Sequence, residues 1–309
     1  METQLIAKTK KRTFRKNMYM YVLLIPAIIY VVIFNYLPLA GVAIAFKDYD
    51  VLIGFGDSPW VGLKHFKELF AFQGFAKAVK NTLLYSSVSL FGQFPFPIFL
   101  ALCINEVRHA GAKKFVQTVS YLPHFLSWMS VIGFAYSIFA INGSFNDLMS
   151  ALFGESYKRS NLLLDSNNFL AVIFLSGLWK TIGWNSILYL AAICGIDQSY
   201  YEAAEIDGCS RLGKIWHITL PCIRTTAVLV LILGVGSLVT TSFEQVYGFQ
   251  NVYIQNDTEV INTLAYKEGI QNGNYSLATA LSVTQGIVSL ILVMTANRLS
   301  KKLAEVSLW

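Results

Sequence analysis

The stretch Ser199-Tyr200-Tyr201-Glu202-Ala203-Ala204-Glu205-Ile206-Asp207-Gly208, continued by Cys209 through His217 and closed by Ile218-Thr219-Leu220-Pro221, decides the reading of this chain. Its local chemistry predicts two short helices. Ser199 and Glu202 stand at the spacing of a capping box, in which two side chains satisfy free N–H groups at a helix start. Gly208 suits the end of that helix, where a left-handed residue is often needed. Ser210 can cap a second short helix. Pro221 fits the first turn of the helix that follows, because its missing N–H costs little there.

Outward from this connection the sequence is apolar on both sides. Of 309 residues, 55% are hydrophobic and only 14% charged, where a soluble domain carries about 25% charged residues. A soluble core could not hide that much apolar surface, so the chain reads as a membrane protein. Crossing a bilayer takes about 20 mostly apolar residues. Six runs reach that length, at approximately Met18–Phe46, Lys80–Ile104, Phe115–Ile141, Asn168–Cys194, Ile223–Tyr247 and Tyr275–Leu299. The expected fold class is an all-α membrane protein with six transmembrane helices over residues 18–299. A basic leader (1–17) precedes them, a tail (300–309) follows, and the connection at 197–222 stands apart from the spans. The first run is too long for a cleaved signal peptide, and no small-residue cleavage pattern follows it. Pro26 and Pro38 lie inside it, as membrane helices tolerate when neighbours satisfy the freed carbonyls. Pro95 and Pro97 are expected to break the second run, as either a moving or a static kink.

Lysine and arginine set the orientation. The leader carries Lys8, Lys10, Lys11, Arg12, Arg15 and Lys16, and the second connection carries Arg108, Lys113 and Lys114. Arg211, Lys214 and Arg224 lie in or beside the fourth connection, and Arg298, Lys301 and Lys302 near the end. Together these outnumber the basic residues of the alternate connections, so both termini and the 197–222 connection are expected on the cytoplasmic side. The net charge of +6 then reads as a topology signal, with no nucleic acid implied. Four cysteines and four histidines are scattered without metal-ligand spacing, so neither a metal site nor a disulfide framework is expected. Gly208-x4-Gly213-Lys214 imitates a phosphate-binding loop, but Ile215 stands where a hydroxyl would hold Mg²⁺ and no buried strand precedes it. Nucleotide binding by this chain is therefore not expected.

Glu202-Ala203-Ala204, Gly208 and the closing Ile218-x-Leu220-Pro221 resemble, in residue type and spacing, the EAA loop of permease subunits of binding-protein-dependent ABC importers. The resemblance implies the type I ABC importer permease fold. In that family the loop docks into a cleft on an ATPase subunit, which assigns ATPase coupling to Glu202, Ala203, Ala204, Asp207, Gly208, Ile218, Leu220 and Pro221. Ser199, Gly208 and Pro221 set the shape of the loop, while Glu202 and the alanines are better suited to contact. Other segments resemble the complex-oligosaccharide branch of the same superfamily. These are Leu24–Ala27, Ala45–Tyr49, Ser58–Gly62, Tyr121–Trp128, Phe243–Tyr247 and Ala296–Arg298 through Ser307–Trp309. The resemblance implies a bacterial plasma-membrane importer of an oligosaccharide, with pectic or other acidic polysaccharides as one source. The implied partners are a second, similar permease, a dimer of ATP-binding subunits that hold ATP and Mg²⁺, a solute-binding protein outside, and membrane lipid. This chain itself holds no cofactor and has no catalytic residue.

Ionisable groups within spans are functional candidates by default. Lys180, in Trp179-Lys180-Thr181-Ile182-Gly183-Trp184-Asn185, lies near the middle of the fourth run, and Glu244 near the end of the fifth. They are either ligands for an anionic sugar, or a Lys180–Glu244 pair or snorkelling side chains that merely hold helices together. Neutral candidates for the substrate path are Asn81, Gln93, Trp184, Asn185, Tyr189, Gln245 and Gln285, since sugar recognition joins amide groups to aromatic platforms. Each could equally be an interhelical hydrogen bond. The competing class is a secondary transporter or channel that works without ATP. A membrane enzyme has no nucleophile–base pair or metal motif to support it.

Overall fold

A computed structural model describes residues 18–304. The leader, 1–17, and the last five residues of the tail lie outside the described residues. The labelled helices are α1 (Met18–Phe46) and α2 (Phe75–Glu106); α3 (Ala110–Tyr121), α4 (Trp128–Phe139), α5 (Phe169–Cys194) and α6 (Gln198–Ile206); and α7 (Arg211–Val235), α8 (Phe243–Phe249) and α9 (Tyr275–Ala304). Among the described residues, five runs are long and apolar enough to cross a membrane: α1, α2, Trp128–Phe153, α7 and α9. Helix α5 has 26 residues, about 39 Å at 1.5 Å per residue, but Lys180-Thr181 and Trp184-Asn185 make its middle polar.

Prolines mark the irregular turns of the long helices. The π turns Val32–Tyr36, Val88–Gly92 and Ile215–Thr219 sit just before Pro38, Pro95 and Pro221. A proline lacks an N–H and its ring crowds the carbonyl four residues back, and a widened turn relieves both problems. Pro95 and Pro97 interrupt the second span locally, as expected: the α-helix ends at Ser87, a π turn and the turn residue Phe94 follow, and an α-helix restarts at Pro95 and runs to Glu106 within the same long run. Pro221 stands in the first turn of the α-helical stretch Leu220–Val235, as expected, and the π turn Ile215–Thr219 joins that stretch to Arg211–Lys214, so that α7 is continuous from Arg211.

Two expected spans are interrupted. The run Phe115–Ile141 divides into α3 and α4, with a 3₁₀ turn over Leu122–Phe125 and Ser127 capping α4 through the N–H of Ser130 at 3.2 Å. The run Ile223–Tyr247 stops at Val235, where Gly234 and Gly236 flank the end, and resumes as the short α8. Glu244 and Gln245 thus stand on a separate helix.

Helix α5 is the axis of the bundle. Its buried residues Phe169, Ile173, Gly177, Lys180, Gly183, Ser186, Tyr189 and Ile193 recur every three or four positions, the period of a single helical face. Phe169 and Ile173 join Tyr85, Ile132, Val246 and Phe249 in one apolar cluster. Tyr189, Leu190 and Ile193 join Ala101, Ile104 and Ile223 in another. Between the clusters the face is small or polar, and neighbours come very close. A Cβ on Gly183 would lie 2.0 Å from the carbonyl oxygen of Ser120, so glycine is required where α3 crosses α5. Small residues serve the same purpose in membrane helix pairs generally.

Candidate functional site

Backbone that leaves its helix inside a membrane must find other hydrogen-bond partners, or line a wet cavity. Both interruptions find such partners and line a cavity. At the first, the Lys180 ammonium of α5 donates to the carbonyls of Leu126, of His124 at 2.8 Å and, at the limit of bonding, of Pro123 at 3.5 Å. At the second, Ser86 donates to the Thr240 carbonyl at 2.9 Å and Asn262 to the Thr241 carbonyl at 2.7 Å. Gln285 and Ser289 of α9 bond the carbonyls of Val239 and Gly236.

The two interruptions face one cavity of about 420 Å³. His124 and Trp128 line it from the first, Ser237 and Thr240–Ser242 from the second, Tyr85, Ser89 and Gln93 from α2, Lys180 from α5, and Gln245 from α8. A second cavity of about 320 Å³ shares Ser89, Leu90 and Gln93 with it and adds Trp184, Asn185 and Tyr189. At their border the rings of His124 and Trp184 stack at 4.3 Å and 5°. Such a volume lies within the range that holds small-molecule ligands.

Lys180 shows how a charge is tolerated here. A lysine at the middle of a membrane helix costs about 2.5–3.5 kcal/mol on insertion scales. A hydrogen bond to a charged group returns about 1.5–3 kcal/mol, so the bonds to His124 and Leu126 are enough to offset it. The ammonium also lies 5.4 Å from the centre of the Trp128 ring. The alternative expected from sequence, a Lys180–Glu244 ion pair, is not formed: Glu244 is exposed on α8, and the lysine takes backbone carbonyls instead.

The other sequence candidates fall into two groups. Gln245 lines the larger cavity while its amide binds the Ile173 carbonyl at 2.8 Å and Ser176 at 3.0 Å. Trp184, Asn185 and Tyr189 line the smaller one. Asn81, Glu244 and Gln285 line neither. Asn81 gives both amide hydrogens to the carbonyls of Asp257 and Glu259, at 2.8 and 2.9 Å, and Gln285 braces the second interruption. Sequence reasoning passed over His124, Trp128 and the segment Ser237–Ser242 as cavity walls. The serine–threonine run next to Gly236 was the available signal.

The connection after α5 forms a compact bracket. Asp197, rather than Ser199, caps α6, accepting from the Ser199 N–H at 2.9 Å. No Ser199–Glu202 capping box forms, because α6 has already begun at Gln198. That hydrogen bond holds the Asp197 carboxyl below the usual carboxylate range. Gly208, at φ +73°, ends α6. The N–H groups of Gly208 and Cys209 return to the carbonyls of Glu205 and Ala204 at 3.0 and 2.8 Å, the 5→2 and 6→1 bonds of a Schellman motif. Ser210 caps α7 through the Gly213 N–H at 3.2 Å. Lys214 meets Glu205 at 2.6 Å and depresses its pKa, and the Tyr201 and Thr219 hydroxyls join at 2.9 Å. Glu202, Ala203, Asp207, Gly208 and Pro221 are exposed, while Ala204, Ile218 and Leu220 are half-buried. Tyr200, Ile206, Leu212 and Trp216 also turn large apolar surfaces outward. Outward apolar groups beside a charged bracket mark an interaction surface, and sequence reasoning had not selected these four.

Long apolar helices around a polar cavity, with an exposed bracket at the foot of one of them, define an integral membrane transport protein. The chain belongs to the family of binding-protein-dependent transport system inner membrane components, the permeases of ABC importers, whose pattern it matches over residues 93–304. It is 41% identical to the protein LplB of Bacillus subtilis over 96% of this chain and 92% of that one. It is 42% identical to the polygalacturonan/rhamnogalacturonan transport system permease protein YteP of the same organism, over 93% and 89%. Its fold matches a chain of a bacterial ABC transporter involved in the import of the acidic polysaccharide alginate. The TM-score is 0.86 at 36% identity, covering 96% of this chain and 99% of that one. The alginate transporter has also been solved in complex with an alginate pentasaccharide-bound periplasmic protein.

Proposed function

We propose that this chain is one of two permease subunits through which an ATP-driven importer moves an acidic oligosaccharide, delivered from outside by a solute-binding protein. Six helices, α5 among them, cross the membrane, with both termini and the α6 bracket on the cytoplasmic side. The observation that carries this reading is the course of α7. It starts at the bracket, at Arg211, and ends at Val235, where the cavity-lining segment begins. Its 25 residues make a rod of about 37 Å, so a push on the bracket reaches the wall of the cavity.

Partner ATPase subunits bind ATP and Mg²⁺ and take the surface of Glu202, Ala203, Ile206 and Gly208. Docking that differs between their open and closed states supplies the coupling free energy. The names of the relatives, polygalacturonan and alginate, favour acidic cargo, and the Lys180 charge at the cavity wall agrees with it. The test is co-purification with the ATPase subunits and measurement of substrate-stimulated ATP hydrolysis, comparing wild type with Gly208→Pro. The substitution removes the N–H that closes α6 on Glu205 and the left-handed backbone. The expected result is loss of docking or of stimulation with membrane insertion intact. Unchanged coupling would overturn the assignment.

A further inference from the structure

We propose that an acyl chain of a membrane lipid occupies a separate, apolar cavity between α4 and α5. The cavity has a volume of about 640 Å³. Phe134 and Ile138 of α4 line one side of it, Leu175 and Trp179 of α5 the other, and Leu126 of the first interruption lines it too. The first four are 42–60% exposed, so they have surface to offer a ligand. On α5 this wall repeats at three- and four-residue spacing, which makes it one helical face. The residues that line the polar cavity, Ile173, Gly177 and Lys180, lie on another. The apolar cavity belongs to the end of α5 away from the bracket.

Chemistry and size select the occupant. Apart from Trp179, the polar side chains of the wall are already used: Asn168 donates to the Leu162 carbonyl at 3.2 Å and Ser176 to the Val172 carbonyl. A sugar or an irregular peptide would lose its hydrogen bonds to water there without replacement. A helix of the second permease is too wide. Along α5 the cavity extends from the cap residue Asn168 to Trp179, about 17 Å at 1.5 Å per residue. A helix about 10–12 Å across and that long takes up at least about 1,300 Å³, about twice the cavity. An extended hydrocarbon chain is narrower, and 17 Å is about half of the 30 Å hydrocarbon core, the depth of one leaflet. Cavities walled by apolar side chains stay dry and accept apolar ligands. The chain therefore enters from the leaflet on the side away from the bracket. It lies against Leu126, whose carbonyl accepts from the Lys180 ammonium of the polar cavity.

The test reconstitutes the full transporter, with both permeases and the ATPase pair, in bilayers containing a phosphatidylcholine with a diazirine near the end of one acyl chain. After irradiation, adducts are mapped by peptide mass spectrometry and scaled to those on the rest of the chain. Adducts are expected at Phe134, Ile138, Leu175 and Trp179. Ala135 and Ala171 also line the cavity, and the double variant Ala135→Phe, Ala171→Phe fills it. Filling should lower the adducts at those four residues about tenfold, which corresponds to about 1.4 kcal/mol of affinity. Ala135→Leu alone asks the same question if the double variant fails to assemble. A yield that filling leaves unchanged would mean ordinary bulk lipid and would overturn the site. Absence of adducts there while the rest of the chain is labelled would mean that the second permease covers this face, and would overturn it too. The readout needs no uptake, so its failure is distinct from failure of the transport reading.

Discussion

The Lys180 Nζ donates to the His124 carbonyl at 2.8 Å, and so a charge on one helix closes the joint in its neighbour. Lys180→Met should therefore act twice. It removes the donor from buried carbonyls, each about 1–3 kcal/mol when left unpaired, against a relief of about 2.5–3.5 kcal/mol for the lost charge. A net destabilisation is expected as a lowered melting temperature in detergent. It also removes positive charge from the cavity, and uptake of trigalacturonate should fall about tenfold more than uptake of a neutral trisaccharide, a difference of about 1.4 kcal/mol. Equal losses for both probes would leave Lys180 with the structural role alone.

Gly183 and Gly133 are both helical glycines with opposite surroundings. A Cβ on Gly183 meets the Ser120 carbonyl at 2.0 Å, and one on Gly133 meets nothing within 4 Å. Gly183→Ala should destabilise by about 1–3 kcal/mol through overpacking. Gly133→Ala should be neutral or stabilise by up to about 1 kcal/mol. Thermal unfolding of the two purified variants, side by side, checks the pair.

Asn81 resembled a path residue in sequence, yet both its amide hydrogens hold the 257–259 segment. Asn81→Leu should lower thermal stability, because two carbonyls lose their donor at about 1–3 kcal/mol each, while the KM for sugar stays at the wild-type value. A KM change without a stability change would return Asn81 to the substrate path.

The bracket carries a pH signature. The Asp197 carboxyl is held below its usual range chiefly by the Ser199 N–H, and that of Glu205 by the hydrogen bond from Lys214. A carboxylate depressed in the folded state contributes stability above its unfolded pKa of about 4, lost as pH falls through the lower folded value. Wild-type α6 should thus hold from neutral pH down to about 4 and loosen below it. A nitroxide at position 200 reads this as mobility in electron paramagnetic resonance. In the double variant Asp197→Asn, Glu205→Gln the acid-induced step should disappear, and its persistence would place the titration elsewhere.

Much of this was legible in the residues. The apolar runs located α1, α2, α5 and α9 to within a few positions, and Gly208 and Ser210 fixed the bracket because their chemistry is local. The interruptions were not legible. Phe115–Ile141 and Ile223–Tyr247 are apolar enough to read as continuous helices, and what divides them is tertiary. A lysine 54 residues beyond Leu126 along the chain takes up the first set of carbonyls, and Gln285 takes up part of the second. The capping position of α6 was missed because Asp197 and Ser199 are both good caps two residues apart, and only backbone geometry chooses between them. The apolar contacts of the bracket, Ile206 and Trp216, resemble ordinary core residues until their exposure is seen.

The lysine-closed joint also bears on how the chain is made. Helix α5 is synthesised with a cation in its middle, and the carbonyls that bond it, of Pro123, His124 and Leu126, belong to the turn between α3 and α4 and are made earlier. The turn must therefore be in place before the ammonium can be satisfied, and the order of synthesis matches that order of need. Separating the two segments by a long inserted linker should lower the yield of folded protein.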